Sequence, residues 1–169
     1  MMETKFKLLG HPVHPMLIVF PLGLFSTAVI FDLLYLVTGN EDLAIFSFWA
    51  IAAGVIGAIA AAVFGTWDYL AIPENTRAKR IGLMHGGGNV VFTALFAISW
   101  LMRRDDATYL PDNPLPLILA LIGAGLGLFT AWLGGELVYR LRVAVDTDAN
   151  LDASSSLSSS GVVDVERPT

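Results

Sequence analysis

The sequence predicts an all-α integral membrane protein: a four-helix bundle with both termini cytoplasmic and a disordered acidic C-terminal tail. Three observations carry that reading. Hydrophobic residues make up 55% of the 169 and charged residues only 15%, above and below the shares of an ordinary soluble domain. Apolar runs occur at about 15–38, 43–67, 83–102 and 115–138, each long enough to cross a hydrocarbon core of about 30 Å at 1.5 Å per residue. The net charge of −5 is uneven: residues 1–145 hold nine Lys+Arg against ten Asp+Glu, and residues 146–169 hold one against five. No basic patch points to nucleic acid.

Residues 1–14 read as a cytoplasmic lead-in, and 15–145 as the transmembrane domain. Lys5 and Lys7 before an apolar stretch are also the pattern of a secretory signal. The stretch is too long for one, and no small-residue cleavage site precedes Asp32, so an uncleaved first helix is expected. From Asp146 onward the chain is Ser-rich and acidic, with too little to bury to offset the entropy of ordering.

Orientation follows from Lys and Arg, which concentrate in cytoplasmic segments. Lys5, Lys7, Arg77, Lys79, Arg80, Arg140, Arg142 and Arg167 fall on one side, and only Arg103 and Arg104 on the other. Asp32 stands near the second side, where Arg103 or Arg104 is positioned to pair with it in a structural role.

Membrane helices associate where small residues let backbones approach. Gly57, Ala61 and Gly65 on the second helix, and Gly123, Gly127, Ala131 and Gly135 on the fourth, are expected to form seams within the bundle. A homo-oligomer would use the same kind of surface. The run GLMHGGGN at 82–89 lacks the Lys-Ser/Thr ending of a phosphate loop and follows no strand. It reads as a place where the third helix begins inside the bundle and passes a neighbour, or a flat cofactor, at short range.

Placed by depth, the ionisable residues gather at one end. His11 and His14 begin helix 1, Asp68 ends helix 2, His85 and Asn89 begin helix 3, and Glu136 ends helix 4. With alternating helix direction all lie on the cytoplasmic side. Imidazoles at helix N-termini and carboxylates at C-termini are each at the unfavourable end of a helix dipole. Either the histidines stay neutral, the form that binds metal, or they pair with Asp68 and Glu136. Pro12 and Pro15 bracket His14 and place it at the N-cap of helix 1, with His11 on an extended lead-in. His85 and Asn89, four apart, share a helical face.

With no cysteine, thiolate sites and covalent c-type haem are excluded, and metal chemistry must use His and carboxylates. The expected cofactor-binding set is His14, His85, His11 and Asn89, with His14 and His85 as axial ligands of a b-type haem. The same layer, as His11, His14, His85, Asp68 and Glu136, also suits a divalent transition metal. Nothing resembles a nucleophile elbow, HExxH or paired catalytic carboxylates, so an enzyme is not the leading reading. Electron transfer has two rivals: a transporter or proton path, disfavoured by helix middles such as IGAIAAAVF, and a scaffold or partner-binding subunit whose polar layer only closes the bundle.

GHPVHPMLIVFPLGLFSTAVIFDLLY, GTWDYLAIP, HGGGN and WLGGELVYR, in this order, make the chain resemble the bacterial four-helix membrane proteins grouped as domain of unknown function 2231, over roughly residues 8–145. The resemblance implies an integral inner-membrane protein of four helices. It also implies, by association of some members with Rieske-type or cytochrome domains, a redox role. No such domain occurs in these 169 residues, so electron transfer would call for a separate donor and acceptor protein. The family pattern marks His11, His14, Asp68, His85, Asn89 and Glu136.

Overall fold

A computed structural model describes Thr4, residues 6–108 and residues 113–158. The charged residues Lys5, Asp112 and Arg167, and the end of the acidic tail, lie outside the described residues. The chain is mostly helical, and four stretches are long and apolar enough to cross a membrane: span 1 Val13–Thr38, span 2 Glu41–Ala71, span 3 Arg77–Leu101 and span 4 Leu115–Arg140. A small antiparallel ladder precedes them, β1 (Lys7–Leu8) with β2 (His11–Pro12), closed by a turn in which Leu9 and Gly10 take φ of 52° and 82°.

Span 1 is two helices, α1 (Val13–Leu17) and α2 (Val19–Thr38), interrupted at Ile18. Pro21 is the physical cause, since it has no N–H to offer the carbonyl of Leu17. The helix starts at Val13 with Pro12 in the cap position, so His14 lies inside the first turn and not at the N-cap. Span 1 ends at Gly39, whose φ of 69° and N–H bond to the Tyr35 carbonyl form a left-handed cap. Asn40 then caps span 2, the single helix α3 (Glu41–Ala71), by accepting from the Asp42 N–H.

α4 (Arg77–Leu101) starts six residues before the apolar run at Leu83, because Thr76 caps it by accepting from the Lys79 N–H. The glycine run is therefore in the body of span 3 and not at its start. Gly82 packs against Tyr69 and Ile72, and Gly88 against Thr130, whereas a Cβ at Gly86 or Gly87 would meet nothing within 4 Å. α5 (Leu115–Gly135) passes into a π-helical turn over Glu136–Arg140. The first part of the acidic tail, 146–158, forms turns closed by Asp146 and Asn150 side chains.

Spans 1 and 2 pack as one hairpin and spans 3 and 4 as another, with thinner contacts closing the bundle. Spans 1 and 3 meet across its centre, where the Phe25 and Phe96 rings stack at 4.1 Å and 16°. Phe92, Ala28, Ile51 and Ala120 complete that core. The seams are glycine-based as expected, but their register differs. Gly54, absent from the expected set, faces Phe25, while Gly57 and Gly65 face Phe20 and His14. On span 4 the seam runs Gly123, Gly127, Thr130, Gly134. Ala131 is exposed and Gly135 meets only Tyr139 of its own turn. A spacing of strict fours drifts off a helix face of 3.6 residues per turn; a four-three-four spacing stays on it.

The outer surface carries exposed Phe46, Trp49, Ile56, Val90, Leu128 and Trp132. Lipid is the solvent that covers such a surface.

Candidate functional site

His14 and His85 come from diagonal spans and face one another at the end of the bundle where span 1 starts and span 4 finishes. Their ring centres are 6.4 Å apart with planes at 89°. Each ring is fixed by the span that follows its own in sequence: His14 Nδ1 lies 2.9 Å from the Ala61 carbonyl, and His85 Nδ1 2.8 Å from the Thr130 carbonyl. A carbonyl oxygen only accepts, so Nδ1 carries the proton in both rings and the lone pair of the neutral imidazole is on Nε2. In that tautomer Nε2 of His85 accepts from Asn89 Nδ2–H over 3.1 Å.

Glycine makes both placements possible. A Cβ at Gly65 would come 2.8 Å from Cε1 of His14, and one at Gly134 3.1 Å from Cε1 of His85. Each glycine is four residues beyond the carbonyl its histidine uses, so one helix face supplies both the bond and the space.

The rest of the expected layer takes other partners. Asp68, buried, accepts from the Thr4 hydroxyl. Glu136 accepts from Arg77 Nη2 at 2.6 Å, and exposed His11 contacts the Ser156 hydroxyl at 3.3 Å. The histidines thus bond to backbone carbonyls and not to Asp68 or Glu136. The carboxylates, at helix ends, instead meet a hydroxyl of the lead-in, for Asp68, and the first residue of span 3, for Glu136. Among the described residues no three His, Asp or Glu side chains stand close enough to hold a metal ion.

Basic groups surround this end. Lys79 bonds to the Tyr69 and Ile72 carbonyls that terminate span 2, lies over the Tyr69 ring at 4.3 Å and pairs with Glu74. Lys7 pairs with Asp146 at 3.6 Å, which ties the lead-in to the chain leaving span 4. The carboxyl of exposed Asp146 is held below the usual carboxylate range by the backbone N–H of Asp148 first and by Lys7 second.

At the opposite end Arg103 meets Asp32 through two bonds of 2.8 Å, with both side chains fully buried. The guanidinium also donates to Ser47 at 3.2 Å and to Ser99 at 3.0 Å. The two hydroxyls in turn donate to the Ala28 and Pro116 carbonyls. The expected Asp32 pairing is present, and Arg103 is its partner. Arg103 Nε has no partner.

Of the residues the sequence singles out, the structure brings together His14, His85 and Asn89. Ala61 and Thr130 contribute backbone oxygens, which leave no mark in residue type. Gly134 is legible in principle, as the residue four beyond Thr130, but a spacing of strict fours selects its neighbour Gly135.

Four apolar spans around buried polar contacts define a multi-pass membrane protein. Residues 10–147 match the family described as "Predicted membrane protein (DUF2231)", and the chain belongs to it. No curated protein and no solved structure matches.

Proposed function

We propose that this protein is an electron carrier of the cytoplasmic membrane in which His14 and His85 would hold a b-type haem. The observation that supports this reading is the 6.4 Å between ring centres of two imidazoles with protonated Nδ1 atoms. Two metal–nitrogen bonds of about 2.0–2.1 Å, with about 1.1 Å from each nitrogen to its ring centre, give about 6.3 Å across one metal. A ligating histidine characteristically donates its other N–H to a carbonyl or carboxylate, which fixes the ring and raises its basicity. Ala61 and Thr130 accept in that way here. Haem would supply one-electron chemistry. His85 would hold the group through Nε2, the nitrogen to which Asn89 donates in this structure.

Both termini are proposed to face the cytoplasm. Lys7, Arg77, Lys79, Arg80, Arg140 and Arg142 belong to the end that holds them, whereas Arg103 at the other end is buried and neutralised. A separate redox protein would deliver and remove the electron at that surface.

The test is the oxidised and dithionite-reduced visible spectrum of detergent-purified protein made with ample haem, beside elemental analysis of the same sample. A Soret band and a sharp reduced α band, lost in His14→Ala and His85→Ala while helical circular dichroism persists, is the expected result. Absence of haem from folded, haem-replete wild type overturns the reading.

A second reading is favoured by the saturation of His85, whose two ring nitrogens already bond to Thr130 and Asn89. The pair would then be a structural clasp of a scaffold or partner-binding subunit. The same alanine variants would lower stability and change no bound species.

A further inference from the structure

We infer that the membrane domain is one helical hairpin present twice in tandem, and that Asp32–Arg103 is the lock that lets each half pair only with the unlike half. A shift of 71 residues carries span 1 onto span 3, and a shift of 69 carries span 2 onto span 4. Under these shifts His14, Leu24 and Phe25 become His85, Leu95 and Phe96, and Gly54 and Gly65 become Gly123 and Gly134. Identities this sparse carry little alone. The contacts made by those residues carry the inference.

Each contact recurs at its shifted position. His14 bonds to the Ala61 carbonyl as His85 does to that of Thr130. Gly65 lies on the His14 ring as Gly134 lies on His85, and Gly54 lies on Phe25 as Gly123 lies on Phe96. A hydroxyl bond joins 28 to 47 and another joins 99 to 116, the same two positions, with the serine on span 2 in the first hairpin and on span 3 in the second. The exits match too: Asn75 after span 2 and Ala144 after span 4 take φ of 62° and 60°, although neither is glycine.

Equivalent residues also meet each other. His14 faces His85, Phe25 stacks on Phe96, and Asp32 pairs with Arg103, at three levels of the bundle. Contact of a residue with its own equivalent is the mark of a two-fold interface. In such an interface two identical hairpins would place Asp against Asp, or Arg against Arg, at a fully buried node. Divergence at this one pair makes like-with-like assembly unfavourable and unlike assembly favourable. The node is therefore a partner-selecting surface, and the partner it fits is the other hairpin, in the same chain or in a second copy. None of this depends on the cofactor reading.

Two experiments on the whole domain test it. The first compares Asp32→Arg, Arg103→Asp and the double exchange by thermal unfolding and size-exclusion profile in detergent. Each single reversal is expected to lower the folding equilibrium more than about a hundred-fold, as removal of one partner of a buried pair does. The double exchange is expected to recover most of it, because Ser47 and Ser99 flank the node from both halves. A double variant as damaged as the singles overturns the equivalence. The second experiment reverses hairpin order, joining residues 76–146 directly to 6–75. Lys7 already pairs with Asp146, so the two-fold relation predicts a short join that folds, with a melting temperature within a few degrees of wild type. A reversed chain that does not fold overturns the tandem relation, whatever the charge exchange gives.

Discussion

At the end where span 1 starts and span 4 finishes, His14 and His85 stand 6.4 Å apart, and each bonds to a carbonyl of its own hairpin. At the other end Asp32 and Arg103 bond to each other across the hairpins at 2.8 Å. Both are polar pairs in a lipid setting, where an unsatisfied group is costly. The Asp32–Arg103 end is closed by its own charges and two serines, and it holds the hairpins together. The histidine end is satisfied within each hairpin, with each ring bonded to a carbonyl of its own half. One end therefore couples the hairpins by charge, and the other sets two rings edge to face without spending their hydrogen bonds on each other.

The largest expected effect comes from breaking the closed end. Arg103→Ala leaves the Asp32 carboxylate buried and unpaired, and a loss of about 3–5 kcal/mol is expected by thermal or denaturant unfolding in detergent. Replacing both partners by apolar residues of similar volume, as Asp32→Leu with Arg103→Met, is expected to recover most of that loss. If the double variant stays as unstable as Arg103→Ala, the pair does more than satisfy itself.

Next come the glycines that set the approach of the rings. Gly54→Ala and Gly123→Ala would each put a methyl group within 2.7–2.9 Å of a phenylalanine carbon. Each is expected to cost about 1–3 kcal/mol through displacement of Phe25 or Phe96, read as a lowered melting temperature.

The histidine end is expected to yield less stability and more chemistry. His14→Ala removes one hydrogen bond, from the Ala61 carbonyl, which costs about 1 kcal/mol, and His85→Ala removes two, from the Thr130 carbonyl and from Asn89, at about 1 kcal/mol each. Under the proposed function they also abolish the Soret band. Small losses with no spectral change would reduce this end to a clasp.

The smallest effects lie on the surface. Arg77→Ala removes an ion pair whose arginine is 52% exposed, so less than about 1 kcal/mol is expected, falling further with added salt. Gly86→Ala and Gly87→Ala meet open space and are expected to raise helix stability by about 0.5–1 kcal/mol each. A drop in melting temperature would mean that another helix or a flat ligand covers this face in the native protein, and would place it beside the histidine end as a second contact surface.

The count of candidate spans, and the end of the bundle at which His14, His85, Asp68, Glu136 and Asp32 lie, were legible in the sequence, because apolar length against bilayer thickness is a one-dimensional property. The candidate pair was legible for the same reason, as was the Asp32 pairing at the far end. Helix starts were less so: α4 begins at Arg77 because Thr76 caps it, and apolarity says nothing about a cap. Asp68 and Glu136 lie at the expected end of the bundle, and of the two arrangements the sequence leaves open, pairing with the histidines is the one the structure does not hold. Depth fixes a level along the membrane normal and leaves the angle around the bundle free.

The sequence by itself determined that this chain belongs in a bilayer, crosses it four times and keeps its three histidines at one end. Which of those histidines face each other, which carbonyls hold them, and that residues 71 positions apart meet across the bundle were decided only by tertiary structure. The physical reason is that hydropathy is a sum over single residues. A backbone carbonyl acceptor, or the space left by a missing Cβ, acts only on whatever the fold brings beside it.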